Sequence, residues 1–112
     1  MKKKILCVDD EWCMTDLMFD ILSEDYDVVL ENDPENVESY FDSTFSLVIT
    51  DYSMPRLDGT QLSEKLKCRY NIPILMVTGS VAIEIDIRNI NGMISKPFNI
   101  KHLKDTIKQL LE

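Results

Sequence analysis

The stretch Ser46-Leu47-Val48-Ile49-Thr50-Asp51-Tyr52-Ser53-Met54-Pro55 decides the fold. Ser46–Thr50 is a short apolar run rich in β-branched residues. It is apolar on both faces, as a strand is when both sides of its sheet are covered. It stops at an aspartate and passes into a loop marked by Met54-Pro55 and closed by Asp58-Gly59, after which Leu62 and Leu66 carry a helical period. Strand, acidic residue, loop, helix: the same unit recurs outward in both directions. Downstream, Pro73–Val77 and the short run Met93–Ser95 read as the fourth and fifth strands, and Ile100, Leu103, Ile107, Leu110 and Leu111 mark a final amphipathic helix. Upstream, Ile5–Val8 is the first strand. Met14, Leu17, Met18, Ile21 and Leu22 then recur on one helical face, and Tyr26–Leu30 is the second strand. Asp33-Pro34-Glu35 opens a short second helix with a capping residue, a proline at its first position and an acid in its first turn. Val37, Tyr40 and Phe41 give that helix its buried side.

This alternation predicts an α/β doubly wound three-layer sandwich, a parallel sheet with helices on both faces. Such sheets place their sites beyond the carboxyl ends of the strands. Asp9-Asp10 follow the first strand, Asp51 the third and Lys96 the fifth, while Thr78 ends the fourth. A lone aspartate after a strand is usually structural. Four polar groups at one sheet edge are a candidate site. Carboxylates gathered in one pocket resist joint ionisation. A hard divalent cation relieves them, and Mg²⁺ suits carboxylate oxygens, carbonyls and water. Between that ion and the Lys96 ammonium, Asp51 could attack phosphorus and become an aspartyl phosphate. The Thr78 hydroxyl would be a further donor.

Composition bounds the rest. The 112 residues fit one small domain, and 45% hydrophobic with 29% charged residues is ordinary for a globular chain. Twelve Lys and Arg against 20 Asp and Glu give a net charge of −8, which argues against direct nucleic-acid binding. Cys7, Cys13 and Cys68 are odd in number and form no C-x-x-C pair, so a reducing, cytoplasmic setting is expected. The basic start is followed by too short an apolar run for a signal peptide, and no stretch approaches a membrane span. The expected organisation is one domain over residues 1–112 with no output domain.

Val8-Asp9-Asp10-Glu11, Thr50-Asp51-Tyr52-Ser53-Met54-Pro55 with Asp58-Gly59, Val77-Thr78-Gly79 and Ser95-Lys96-Pro97-Phe98 resemble the response-regulator receiver family, in the family's order and over essentially the whole chain. The resemblance implies a flavodoxin-like fold, five strands in the order 2-1-3-4-5 with five helices. It implies Mg²⁺ held by Asp9, Asp10, Asp51 and the backbone carbonyl of Ser53, with Asp51 the phosphoacceptor and Thr78 and Lys96 facing the phosphate. The Lys96–Pro97 bond is often cis in such proteins. Ser53 and Ser80 match positions that tune dephosphorylation in relatives, and both are small here. The implied donor is a histidine kinase or phosphotransfer protein, and the implied output is docking to an unidentified downstream protein through the face formed by the fourth helix, fifth strand and last helix.

Two departures stand out. Met93 occupies a position where relatives usually carry an aromatic, which weakens the expected coupling to Thr78. The 17 residues 79–95 between Thr78 and Lys96 are about one helical turn shorter than is typical. Ile83, Ile85, Ile87 and Ile90 there are β-branched, so a short or irregular fourth helix is expected. Trp12 reads as a shield at the pocket rim and His102 as a surface residue. Lys101, Lys104 and Lys108 read as a solvated basic stripe. Three other readings compete. A Mg²⁺-dependent phosphohydrolase would want a second carboxylate at residue 53, where a serine stands. A degenerate receiver that only binds partners would not need the intact acidic set. A flavin-binding domain would need a phosphate-cradling loop where Asp9-Asp10 stand.

Overall fold

The computed structural model describes residues 2–79 and 85–112. The elements run β1 (Lys4–Val8), α1 (Trp12–Leu22), β2 (Asp27–Glu31), a 3-10 helix (Pro34–Ser39), β3 (Phe45–Thr50), α2 (Gly59–Lys67), β4 (Ile74–Thr78), β5 (Gly92–Ser95) and α3 (Ile100–Leu111). The five strands are all parallel, in the order β2-β1-β3-β4-β5. The order and the doubly wound class match the sequence reading, and each strand boundary falls within a residue of its expected place.

Side-chain alternation sorts each strand between two cores. Leu6, Val8, Val48 and Ile74 point to one face and are covered by Val37 and Phe41 on one side and Leu62 and Leu66 of α2 on the other. Ile5, Cys7, Ile49, Leu75 and Val77 point to the opposite face, against Met18 and Leu22 of α1 and Leu103 and Ile107 of α3. The central strands are apolar throughout because neither face meets water. At the first core's edge Phe41 stacks on Phe45, ring centroids 4.7 Å apart, and meets Tyr70 edge-on at 4.9 Å. Cys7, Cys13 and Cys68 are all free. Among the described residues no helix is long and apolar enough to cross a membrane.

The helix count differs from the expected five. Among the described residues there are four helical segments, three α-helices and one 3-10 helix. The segment after Asp33 tightens to 3-10 because it is only six residues long and buries only Pro34 and Val37. Much of the expected fourth helix falls on residues 80–84, outside the described residues, as does Ser80. Residues 85–91 are not helical. There Asp86 Oδ1 accepts from the Arg88 backbone N–H at 3.1 Å, a local bond that competes with helical pairing.

Strand register sets up the site. Val8 pairs with Thr50 and Thr78 with Ser95, so Asp9 and Asp51 leave adjacent strands side by side and Lys96 leaves beside Thr78. The ladder continues past the ends: Asp51 N–H donates to Val8 O at 3.1 Å and Lys96 N–H to Thr78 O at 2.9 Å. The chain turns one way from β1 to β2 and the other way from β3 onward, which opens a crevice between β1 and β3. Helix α2 begins tight against this edge. A Cβ on Gly59 would sit 2.2 Å from the Asp51 carbonyl oxygen and 2.9 Å from Met76 Cε. Gly59→Ala should therefore destabilise the fold by about 3 kcal/mol in urea unfolding. Gly79→Ala, whose Cβ would meet nothing nearer than Lys96 Cβ at 3.8 Å among the described residues, should stay within about 1 kcal/mol of wild type.

Candidate functional site

Asp9, Asp10 and Asp51 each place a carboxylate oxygen within 4.8 Å of the others. Asp9 and Asp51 are buried and Asp10 is exposed, so the cluster has a dry floor and a wet rim. The Lys96 ammonium donates to Asp9 Oδ2 at 3.0 Å and to Asp51 Oδ2 at 3.2 Å, with 15% of its side chain exposed. The remaining oxygens of the two buried acids are held by backbone. Glu11 N–H donates to Asp9 Oδ1 at 3.0 Å and Tyr52 N–H to Asp51 Oδ1 at 2.7 Å. Asp10, Glu11, Asp51, Ser53, Thr78, Gly79 and Lys96 line an open cleft of ≈ 340 Å³. The sequence-expected set is thus brought to one place.

The charges explain the bonding. Burial raises the Asp9 carboxyl above its usual range, and this outweighs the Glu11 N–H and the Lys96 ammonium, which pull it down. Burial alone would lower the Lys96 ammonium. The bond and charge of Asp9, then the charge and bond of Asp51, more than reverse that, so its net shift is upward. An ion pair ordinarily lowers its acid. Asp9 goes the other way because desolvation is its largest contribution. The pocket is short of positive charge even with Lys96 in it. Hard carboxylate oxygens close together, one reaching water, suit Mg²⁺, which keeps several waters and takes one or two carboxylates. The positive end of α1, starting at Trp12, also faces the acidic loop.

Other expectations resolve individually. The Lys96–Pro97 bond is cis. Trp12 is 66% exposed and does not line the cleft, so it does not shield it; its place at the first residue of α1 turns it outward. Met93 is exposed on β5. Burial pushes the Cys7 thiol up to about 12, which leaves it an inert core residue. Lys101 pairs with Asp105 one turn along α3, and His102 is exposed.

Sequence reading missed Asn32 and Arg56. Asn32 Nδ2 donates to the Asp9 carbonyl at 2.8 Å and to Thr15 Oγ1 at 3.0 Å, bracing the first acidic loop. Arg56 lies in the loop after Asp51 with φ 71° and pairs with Asp33. Both contacts join loops far apart in the chain, so no local pattern announces them.

The response regulator receiver domain family matches residues 5–108, and the chain belongs to it. Its members are the phosphoacceptor signalling switches of two-component systems. The probable transcriptional regulator ycf27 of Cyanophora paradoxa is 37% identical over 116 residues, which covers 98% of this chain and 48% of that protein. The transcriptional regulatory protein CpxR homolog of Haemophilus influenzae is 30% identical, covering 96% of this chain and 50% of its own length. The chain therefore spans about half the length of the curated relatives it matches. Among solved structures, the response regulator protein TrrA of Thermotoga maritima in complex with Mg²⁺–BeF superposes with a TM-score of 0.87 at 27% identity, covering 97% of this chain and 99% of that one. A CheY-like receiver domain protein of Methanospirillum hungatei gives 0.83 at 31% identity, covering 99% and 94%.

Removing the ammonium should expose the charge imbalance. Without metal at about pH 7, Lys96→Met should cost about 2 kcal/mol, less than a fully enclosed pair because the lysine keeps contact with solvent. The penalty should shrink as pH falls through the raised pKa of Asp9, since a neutral carboxyl needs no counter-charge. Wild type should keep the contribution of its raised Lys96 up to the usual 10.5 and lose it as pH climbs through the folded-state value. Urea titrations in EDTA across this range measure both arms.

Proposed function

We propose that this chain is a Mg²⁺-dependent phosphoacceptor switch that carries the phosphoryl group on Asp51. The observation that carries the reading is the Lys96 ammonium bridging Asp9 and Asp51 with Asp10 alongside. Asp9, Asp10, Asp51 and the Ser53 backbone carbonyl would hold the ion. When bound, Mg²⁺ neutralises the carboxylates and supplies positive charge to the phosphoryl oxygens.

The residues do the rest. A carboxylate oxygen of Asp51 forms the new P–O bond, and the bond from phosphorus to the donor breaks with its electron pair leaving on the donor. A histidine kinase or phosphotransfer protein is the macromolecular donor; acetyl phosphate serves in vitro. Lys96 moves its hydrogen bond from carboxylate to phosphoryl oxygen, and the Thr78 hydroxyl and Gly79 at the cleft wall lie close to the same group. The added charge then biases an inactive–active equilibrium that a downstream protein reads at the β5–α3 side. Ser53 stands where a phosphohydrolase would need a general acid, so Asp51 accumulates the phosphoryl group rather than turning it over. The relatives named as transcriptional regulators are about twice as long as this chain. The acidity of this chain favours a protein partner.

Acetyl phosphate with Mg²⁺ should add one phosphoryl group by intact mass. Asp51→Asn and EDTA should each abolish it, and Lys96→Ala should slow it about 100-fold. Labelling that survives Asp51→Asn moves the acceptor elsewhere and defeats the proposal.

A further inference from the structure

Arg56 adopts φ 71°, and it is the one non-glycine residue with positive φ among the described residues. Left-handed backbone is unfavourable for an arginine, and a glycine would adopt it without steric penalty. Its side chain reaches out of the loop that follows Asp51. The Nη2 atom lies 2.8 Å from Asp33 Oδ2 and Nε 3.5 Å from Glu35 Oε2. Asp33 is already fixed: it caps the 3-10 helix through the Glu35 N–H at 3.0 Å, and its own N–H donates to Glu31 Oε2 at 2.9 Å. Glu31 and Asn32 in turn hold the backbone of Asp9, the first through its carbonyl on Asp9 N–H at 3.0 Å, the second through Nδ2 on the Asp9 carbonyl. The loop of residues 52–58 closes on itself by Gly59 N–H to Tyr52 O at 2.8 Å and by the capping box of Asp58 with Gln61. Arg56 is its outward polar tie, beside Met54 and Leu57, which seat the loop in the core.

We infer that Arg56 is a positioning residue. Its ion pair with Asp33 pins the 52–58 loop to the end of β2, and so holds Ser53 in register with Asp9, Asp10 and Asp51 for the divalent ion. The inference rests on the metal reading above and adds the device that pre-shapes the site. The loops that frame the pocket after β1, β2 and β3 form one polar circuit with Arg56 at its open link. Exposed ion pairs are individually weak. This one acts on a loop that Met54 and Leu57 already seat in the core; it fixes the loop's polar edge, which lowers the cost of organising the ligands when the ion arrives.

Three variants test it. Arg56→Gly relieves the backbone and removes the tie. Asp33→Asn keeps the cap, since asparagine caps as well as aspartate, and removes the charge. Arg56→Lys keeps the charge. Calorimetric titration with Mg²⁺ alone should show Arg56→Gly and Asp33→Asn each binding about five-fold more weakly. Their double variant should be no weaker than either, and Arg56→Lys should restore much of the loss. In EDTA, backbone amides of residues 52–58 should exchange faster in Arg56→Gly than in wild type, with exchange in β1, β3 and β4 unchanged. Wild-type Mg²⁺ affinity in Arg56→Gly, or additive losses in the double variant, would overturn the inference. So would unaltered exchange of the loop. If wild type itself takes up no Mg²⁺, the metal reading fails separately, and the exchange data still decide whether Arg56 ties the loop.

Discussion

Like charges crowded at one edge of a parallel sheet govern this molecule. Asp9 and Asp51 leave adjacent strands at the same register, and nothing in the fold lets them separate. Two buried carboxylates this close, with a third within 4.8 Å, crowd like charge into one pocket. Lys96, 45 residues beyond Asp51 in sequence, is delivered to them by β5. The two apolar cores fix the strand register and the register fixes the charges, so the packing of Leu6, Val48 and Ile74 on one face and Cys7, Ile49 and Leu75 on the other ultimately positions the chemistry.

The same electrostatics set function against stability. Burial works against the ionised form of Asp9 and raises its carboxyl. A core position would ordinarily be apolar, and an acid kept there would favour the approach of a divalent ion. Neutralisation by Lys96 is partial, because it meets two carboxylates with one charge. On the proposed reading a phosphoryl group would change the count again, a step in local charge of the kind a switch needs to favour one arrangement of the surrounding loops.

Much of this was legible in the chain. Strands such as Phe45–Thr50 announce themselves by continuous apolar, β-branched runs, and α1 and α3 by their helical period. Asp9, Asp10, Asp51, Thr78 and Lys96 were legible because each directly follows or ends a strand, where topology alone carries it to the shared edge. The 3-10 helix reads in sequence as an ordinary short helix, because its cap and proline announce a start while only its length determines the tighter turn. Isoleucines after Ile85 warned of weak helix but did not show the Asp86–Arg88 turn that replaces it there. Asn32 and Arg56 were invisible because their partners, Asp9 and Asp33, are distant in sequence and the pairing exists only once the loops meet.

The central claim is that one divalent ion takes its place among these acids, and anomalous diffraction from crystals soaked in Mn²⁺ tests it most directly. A single strong site is expected beside carboxylate oxygens of Asp10 and Asp51, with Ser53 in its coordination sphere and Lys96 drawn toward the free side of Asp51. An ion bound only elsewhere on this acidic surface, with Lys96 still bridging Asp9 and Asp51, would contradict it.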